Sequence, residues 1–198
     1  KSVQLEPQDA EAHYNLGNTF LGLDRLEEAE ASFKQAILLR SDFALAHYNL
    51  GITLKALGRL EEAEASYRKA IVLKLNYAEV YSNLGITLIE MDRLREAEAS
   101  FRQAIILKSN YAEAHNNLGI SLKEMNRSDE AEASYRHAIA LKPDYADAHR
   151  NLGVTLYDLG RLEEAEESYT HAIALKTDFT TALMNRWQLL FDKGEFDT

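Results

Sequence analysis

Apolar positions along the chain recur with a helical period nested inside a much longer one. His13, Leu16, Gly17 and Phe20 stand at i, i+3, i+4 and i+7, which is one face of a helix. The set returns as His47, Leu50, Gly51 and Leu54, then as Tyr81, Leu84, Gly85 and Leu88. It returns twice more, as His115, Leu118, Gly119 and Leu122 and as His149, Leu152, Gly153 and Leu156. A second apolar face follows each set, such as Ala29, Phe33, Ala36 and Ile37 in the first unit and Ala97, Phe101, Ala104 and Ile105 in the third. Two helices of about a dozen residues each, joined by a short turn, are predicted for every unit, folded back as an antiparallel hairpin.

The units begin at Ala10, Ala44, Ala78, Ala112 and Ala146, each 34 residues after the last, with no insertion or deletion. A fixed period of that length marks a solenoid of stacked units, each touching only its neighbours. The expected organisation is five complete repeats, 10–43, 44–77, 78–111, 112–145 and 146–179. Residues 1–9 read as the end of a preceding repeat, since Pro7 takes the slot of Pro143. Residues 180–198 read as the first helix of a partial sixth repeat or as a cap. There Arg186 replaces the leucine and Trp187 takes the glycine slot, so Trp187 could cover the end of the core. The run Lys193-Gly194-Glu195-Phe196-Asp197 resembles the turn into another second helix. With no Met at position 1, it predicts an excised piece of a longer chain.

Turn chemistry supports the hairpins. Asp24, Gly58, Asp92, Asn126 and Gly160 share one slot between the helices, where a left-handed residue ends the first helix. An arginine always follows. Asp42, Asn76, Asn110, Asp144 and Asp178 precede the next helices and are read as N-caps. Gly17 and its copies predict close helix approach, and Phe33, Tyr67, Phe101, Tyr135 and Tyr169 are expected to fill the volume between hairpins.

These slots, aromatic-x2-Leu-Gly-x2-aromatic or Leu followed by Ala-x3-aromatic and a further Ala three residues on, resemble the tetratricopeptide repeat over Ala10 to Phe179. The first slot holds His or Tyr where the family usually has Trp, and the closing Pro survives only at Pro7 and Pro143. The resemblance implies an all-α, right-handed superhelical solenoid of antiparallel helix pairs.

Composition narrows the function. A net charge of −10 without a basic run argues against nucleic acid or an anionic membrane surface as partner. No apolar run reaches the roughly 18 residues that span a bilayer. The absence of cysteine excludes disulfide and thiolate chemistry and fits a reducing compartment, so a cytoplasmic location is expected. The chain lacks a phosphate-binding glycine loop and an HExxH motif. His13, His47, His115 and His149 are repeat copies, expected to stand one per unit and too far apart to share an ion, with His137 and His171 near the surface. Acidic clusters such as Glu27-Glu28-Ala29-Glu30 open second helices, where they complement the helix dipole. No catalytic residue, cofactor or metal ligand is expected.

The opposite face of each first helix carries the candidate site. Asn15, Asn49, Asn83, Asn117 and Asn151 occupy one slot in all five repeats. An amide can both accept from and donate to a peptide group, so such a ladder could grip an extended backbone without reading its sequence. The alternative is a solvated or locally bonded asparagine. Beside the ladder stand Tyr14 and Tyr48, replaced later by Ser82, Asn116 and Arg150, and Asn18, replaced by Ile52, Ile86, Ile120 and Val154. Lys55, Lys123 and Arg150 add positive points among acidic ones that include Glu90 and Asp158. The ladder resembles that in the repeat domain of O-GlcNAc transferases, which implies that these five positions hold peptide backbone. Basic residues are missing at the slots of Tyr14, Glu79 and Asn83, so the clamp for chaperone carboxylates is not expected.

The reading is a non-catalytic protein-interaction scaffold whose concave groove binds an extended peptide or a partner helix. Two alternatives stay open: the recruiting arm of a larger enzyme such as a glycosyltransferase, and a solenoid that self-associates end to end.

Overall fold

The computed structural model describes residues 9–73, 76–176 and 180–194, and among these every regular element is a helix. Pro7 and the first residues, Asp178, and the stretch from Glu195 onward lie outside the described residues. The chain divides into two compact units, Lys1–Leu107 and Lys108–Thr198.

The first unit contains α1 (Ala10–Gly22), α2 (Leu26–Leu39), α3 (Ala44–Ala56), α4 (Leu60–Val72), α5 (Ala78–Glu90) and α6 (Leu94–Leu107). Helices pair as α1 with α2, α3 with α4 and α5 with α6, and each second helix packs on the next first helix. The first helices also touch one another, α1 with α3 and α3 with α5. The second unit repeats this plan with α7 (Ala112–Glu124), α8 (Ser128–Leu141), α9 (Ala146–Asp158), α10 (Leu162–Leu175) and α11 (Thr180–Lys193).

One contact explains the repeated glycine. A Cβ on Gly17, Gly51, Gly85, Gly119 or Gly153 would come within 2.6–2.7 Å of the ring of Phe33, Tyr67, Phe101, Tyr135 or Tyr169 respectively. The ring therefore lies flush on the first helix of its own hairpin. This corrects the expectation that the aromatics fill space between hairpins. All five rings are buried. The hydroxyl of Tyr67 is buried without a hydrogen-bond partner, and burial pushes its pKa up.

The left-handed turn slot is as expected, with φ of 57°, 58° and 60° at Asp24, Asp92 and Asn126 and positive φ at Gly58, Gly160 and Gly194. The caps differ. Phe43, Tyr77, Tyr111 and Tyr145 occupy the cap positions of α3, α5, α7 and α9, without a side-chain bond. Asp42, Asn76, Asn110 and Asp144 sit one residue too early to reach the first free amides. Among the helices whose N-terminal caps are described, only α1 has a side-chain cap, with Asp9 accepting from the Glu11 amide at 2.9 Å.

Three of the arginines that follow the turns, Arg59, Arg93 and Arg161, tie repeats together, a role their position alone did not disclose. Arg59 pairs with Glu62 of its own repeat and, at 2.7 Å, with Glu30 of the repeat before it. Arg93 does the same with Glu96 and Glu64, and Arg161 with Glu164 and Glu132. The acidic openings of the second helices thus serve as arginine partners as well as dipole complements. Glu166 of the fifth repeat takes its cations from α11 instead, Lys193 at 2.9 Å and Arg186 at 3.4 Å.

α11 packs through Ala182 and Leu189, both fully buried. Trp187 remains 66% exposed, so it does not act as a lid over the core.

Candidate functional site

In the first unit, Asn15, Asn49 and Asn83 project from α1, α3 and α5. Asn15 is exposed, and Asn49 and Asn83 are half-buried. The partners of the latter two lie in the preceding repeat, 35 residues earlier for the tyrosines and 31 for Asn18. Nδ2 of Asn49 donates to the Tyr14 hydroxyl at 3.2 Å and, one turn along, to Oδ1 of Asn18 at 2.6 Å. Nδ2 of Asn83 donates to the Tyr48 hydroxyl at 2.9 Å. Tyr14 is itself held by packing, its ring centroid 4.8 Å from that of Phe43, and Tyr48 lies 6.0 Å from Tyr67.

In the second unit the same link joins Asn151 to Asn116 at 2.9 Å, and Nδ2 of Asn116 donates in turn to Oδ1 of Asn117 at 3.3 Å. Asn116 and Asn151 are only 4% and 8% exposed. The expectation that all five amides and the variable slot beside them face a groove is corrected here. The packing of α9 against α7 buries Asn116 and Asn151, and Ser82 of the first unit is buried too.

The ladder is therefore neither wholly structural nor wholly open. Asn49 has committed both N–H groups and keeps its carbonyl. Asn83 has committed one N–H and keeps the other with its carbonyl. The backbone beneath is fixed as well. Thr19, Thr53, Thr87, Ser121 and Thr155 each donate to the carbonyl of the ladder asparagine one turn earlier.

Ile52 and Ile86 flank the first-unit ladder, and Ile120 and Val154 that of the second, all half-buried, as is Arg150. Lys55 and Lys123, read as separate positive points, are instead in ion pairs with Glu90 at 2.7 Å and Asp158 at 3.0 Å. Each partner again lies 35 residues on. This spacing was present in the sequence as a lysine followed by an acid in the next repeat. The face is thus locally neutral, an arrangement of fixed amides and half-buried aliphatic groups suited to hydrogen bonding and apolar contact.

The histidines hold the joints. Nε2 of His47, His115 and His149 bonds the carbonyls of Ser41, Ser109 and Pro143 at 3.1, 3.3 and 2.9 Å. His115 stacks on His137 and His149 on His171, with centroids 5.5 and 5.4 Å apart. Burial pushes the pKa of His47 and His115 down.

Hairpins of two helices with a buried glycine–aromatic contact, repeated in register, define an all-α repeat protein of the tetratricopeptide kind. Family models described as tetratricopeptide repeat match residues 2–37, 14–74 and 116–178, and a second such model matches 78–108. The chain belongs to the tetratricopeptide repeat family. No curated protein sequence matches it significantly. Among solved structures it is similar to YrrB, described as a TPR protein with an unusual peptide-binding site, at 27% identity and a TM-score of 0.77 over 92% of this chain and 94% of that one. It is also similar to MamA at 25% identity and a TM-score of 0.77, covering 82% of this chain and 95% of that one. PilW, described as a type IV pilus biogenesis factor, shares the fold at 22% identity and a TM-score of 0.83, over 93% and 86% of the two chains.

Proposed function

We propose that this chain is a non-catalytic interaction module that takes an extended peptide along the ladder face of its first helices, with Asn15, Asn49 and Asn83 as the principal contacts. The observation that carries this reading is the repeated bond from a ladder amide to the preceding repeat, which holds Asn49 and Asn83 in one orientation before any ligand arrives. Groups fixed in advance lose less entropy on binding. The remaining carbonyl of Asn49, and the carbonyl and second N–H of Asn83, are complementary to the N–H and C=O groups of a peptide in extended form. Ile52 and Ile86 supply apolar contact for its side chains. The likeness to a protein described as having a peptide-binding site supports the same reading.

The test is binding of a library of unstructured peptides to the chain and to its Asn49→Ala, Asn83→Ala double variant. Each lost bond pair is expected to weaken binding by about 1–3 kcal/mol at unchanged helicity. Equal binding by both proteins would place the site elsewhere.

A further inference from the structure

The spacing of the ladder in the first unit selects the form of the chain it can hold, an inference that rests on the peptide-binding reading above. Asn15, Asn49 and Asn83 take the same place on α1, α3 and α5, and α1 touches α3 as α3 touches α5. Helices in contact lie about 8–10 Å apart, axis to axis, so consecutive ladder amides are separated by about that distance. Ile52 and Ile86, each three residues beyond its asparagine, recur at the same interval.

Each repeat also asks the same thing of a ligand. Both N–H groups of Asn49 are spent on Tyr14 and Asn18, and one N–H of Asn83 on Tyr48. The carbonyls they keep are acceptors, so a bound chain must bring an N–H to the ladder about every 8–10 Å. An α-helix bonds its own amides and brings none from its interior. A β-strand rises about 3.3 Å per residue and turns every second N–H to one side, so its donors recur at about 6.6 Å and then about 13 Å. Polyproline II has three residues per turn at about 3.1 Å each and no internal hydrogen bonds. Every third N–H faces the same way, about 9.3 Å from the last. Of the three forms, only this one keeps step with the repeats.

We infer that the first unit takes its peptide as a polyproline II helix, one turn of three residues per repeat, with every third N–H on Asn15, Asn49 and Asn83. The class of ligand follows. Proline has no N–H and holds φ near −65°, so it is accepted at the two positions of each turn that face away from the ladder and refused at the third. The partner is a proline-containing segment with a non-proline residue at every third position.

Two acetylated nonapeptides with a C-terminal fluorophore separate the possibilities: Ala-Ser-Pro repeated three times, and Ser-Pro repeated four times and closed by Ser. In the first, a three-residue register keeps all its donors and every two-residue register loses one. In the second the reverse holds, although its higher proline content favours polyproline II in the free peptide. Fluorescence anisotropy on the full chain is expected to show the first peptide bound at least about fivefold more tightly. That advantage is expected to vanish in Asn49→Ala, Asn83→Ala at unchanged helicity. Equal affinities, or tighter binding of the second peptide, with either still weakened by the double variant, overturn the three-residue register and leave the ladder as the site. Binding that ignores the double variant, or no binding of either peptide, overturns the ladder reading and this inference with it.

Discussion

Nδ2 of Asn83 donates to the Tyr48 hydroxyl at 2.9 Å, across the joint between the second and third repeats. The equivalent bond from Asn49 reaches Tyr14. One side chain thus does two things: it links two repeats and presents its remaining polar atoms in a set direction.

If that bond couples the repeats, Tyr48→Phe and Asn83→Ala will not be additive. A double-mutant cycle read by urea denaturation is expected to give a coupling of about 0.5–1.5 kcal/mol. Simple additivity would mean the two side chains touch without stabilising the joint.

Tyr67 stands where the first and third repeats carry Phe33 and Phe101, yet its buried hydroxyl has no partner. Tyr67→Phe is therefore expected to raise stability by about 1–3 kcal/mol. A fall in melting temperature would show that the hydroxyl contributes after all.

Two glycines should respond with opposite sign. Gly85→Ala drives a methyl to 2.7 Å from the Phe101 ring and is expected to cost about 1–3 kcal/mol. Gly22→Ala, in the last turn of α1 with nothing within 4 Å, should stabilise by about 0.5–1 kcal/mol. Equal effects at the two sites would contradict the ring-on-glycine packing.

The cross-repeat ion pairs predict an acid-sensitive fold. Burial tends to raise the pKa of Glu30 and Glu64, but bonds from Lys34 and Arg59, and from Arg93 and Arg68, outweigh it and hold both below the ordinary glutamate range. A carboxyl with a lowered folded-state pKa contributes stability that is complete above its unfolded value and is lost as pH falls through the folded one. Melting temperature should therefore drop below about pH 4.5, and less steeply in Arg59→Ala, Arg93→Ala. Parallel curves for the two proteins would remove these pairs from the explanation.

The period, the hairpins, the left-handed turn slot and the close-packing glycine were legible in the sequence because each depends on residues near one another in the chain. What lay between repeats was not. Whether Asn83 faces solvent or Tyr48 depends on how α5 is set against α3, a partner 35 residues away. The same geometry turned Lys55 and Lys123 into halves of ion pairs and placed Arg59 on Glu30. The caps at Phe43 and Tyr77 escaped because polar Asp42 and Asn76 stand one residue before them. Burial of Asn116 and Asn151 likewise follows from helix packing rather than from residue type.

The central claim, that the ladder grips backbone rather than side chains, is most directly tested with one bound peptide in three forms: native, scrambled, and N-methylated at alternate backbone amides. Fluorescence anisotropy is expected to give scrambled and native peptides affinities within about threefold, and an N-methylated peptide at least about tenfold weaker. Loss of binding on scrambling, with the N-methylated peptide unaffected, would contradict the claim.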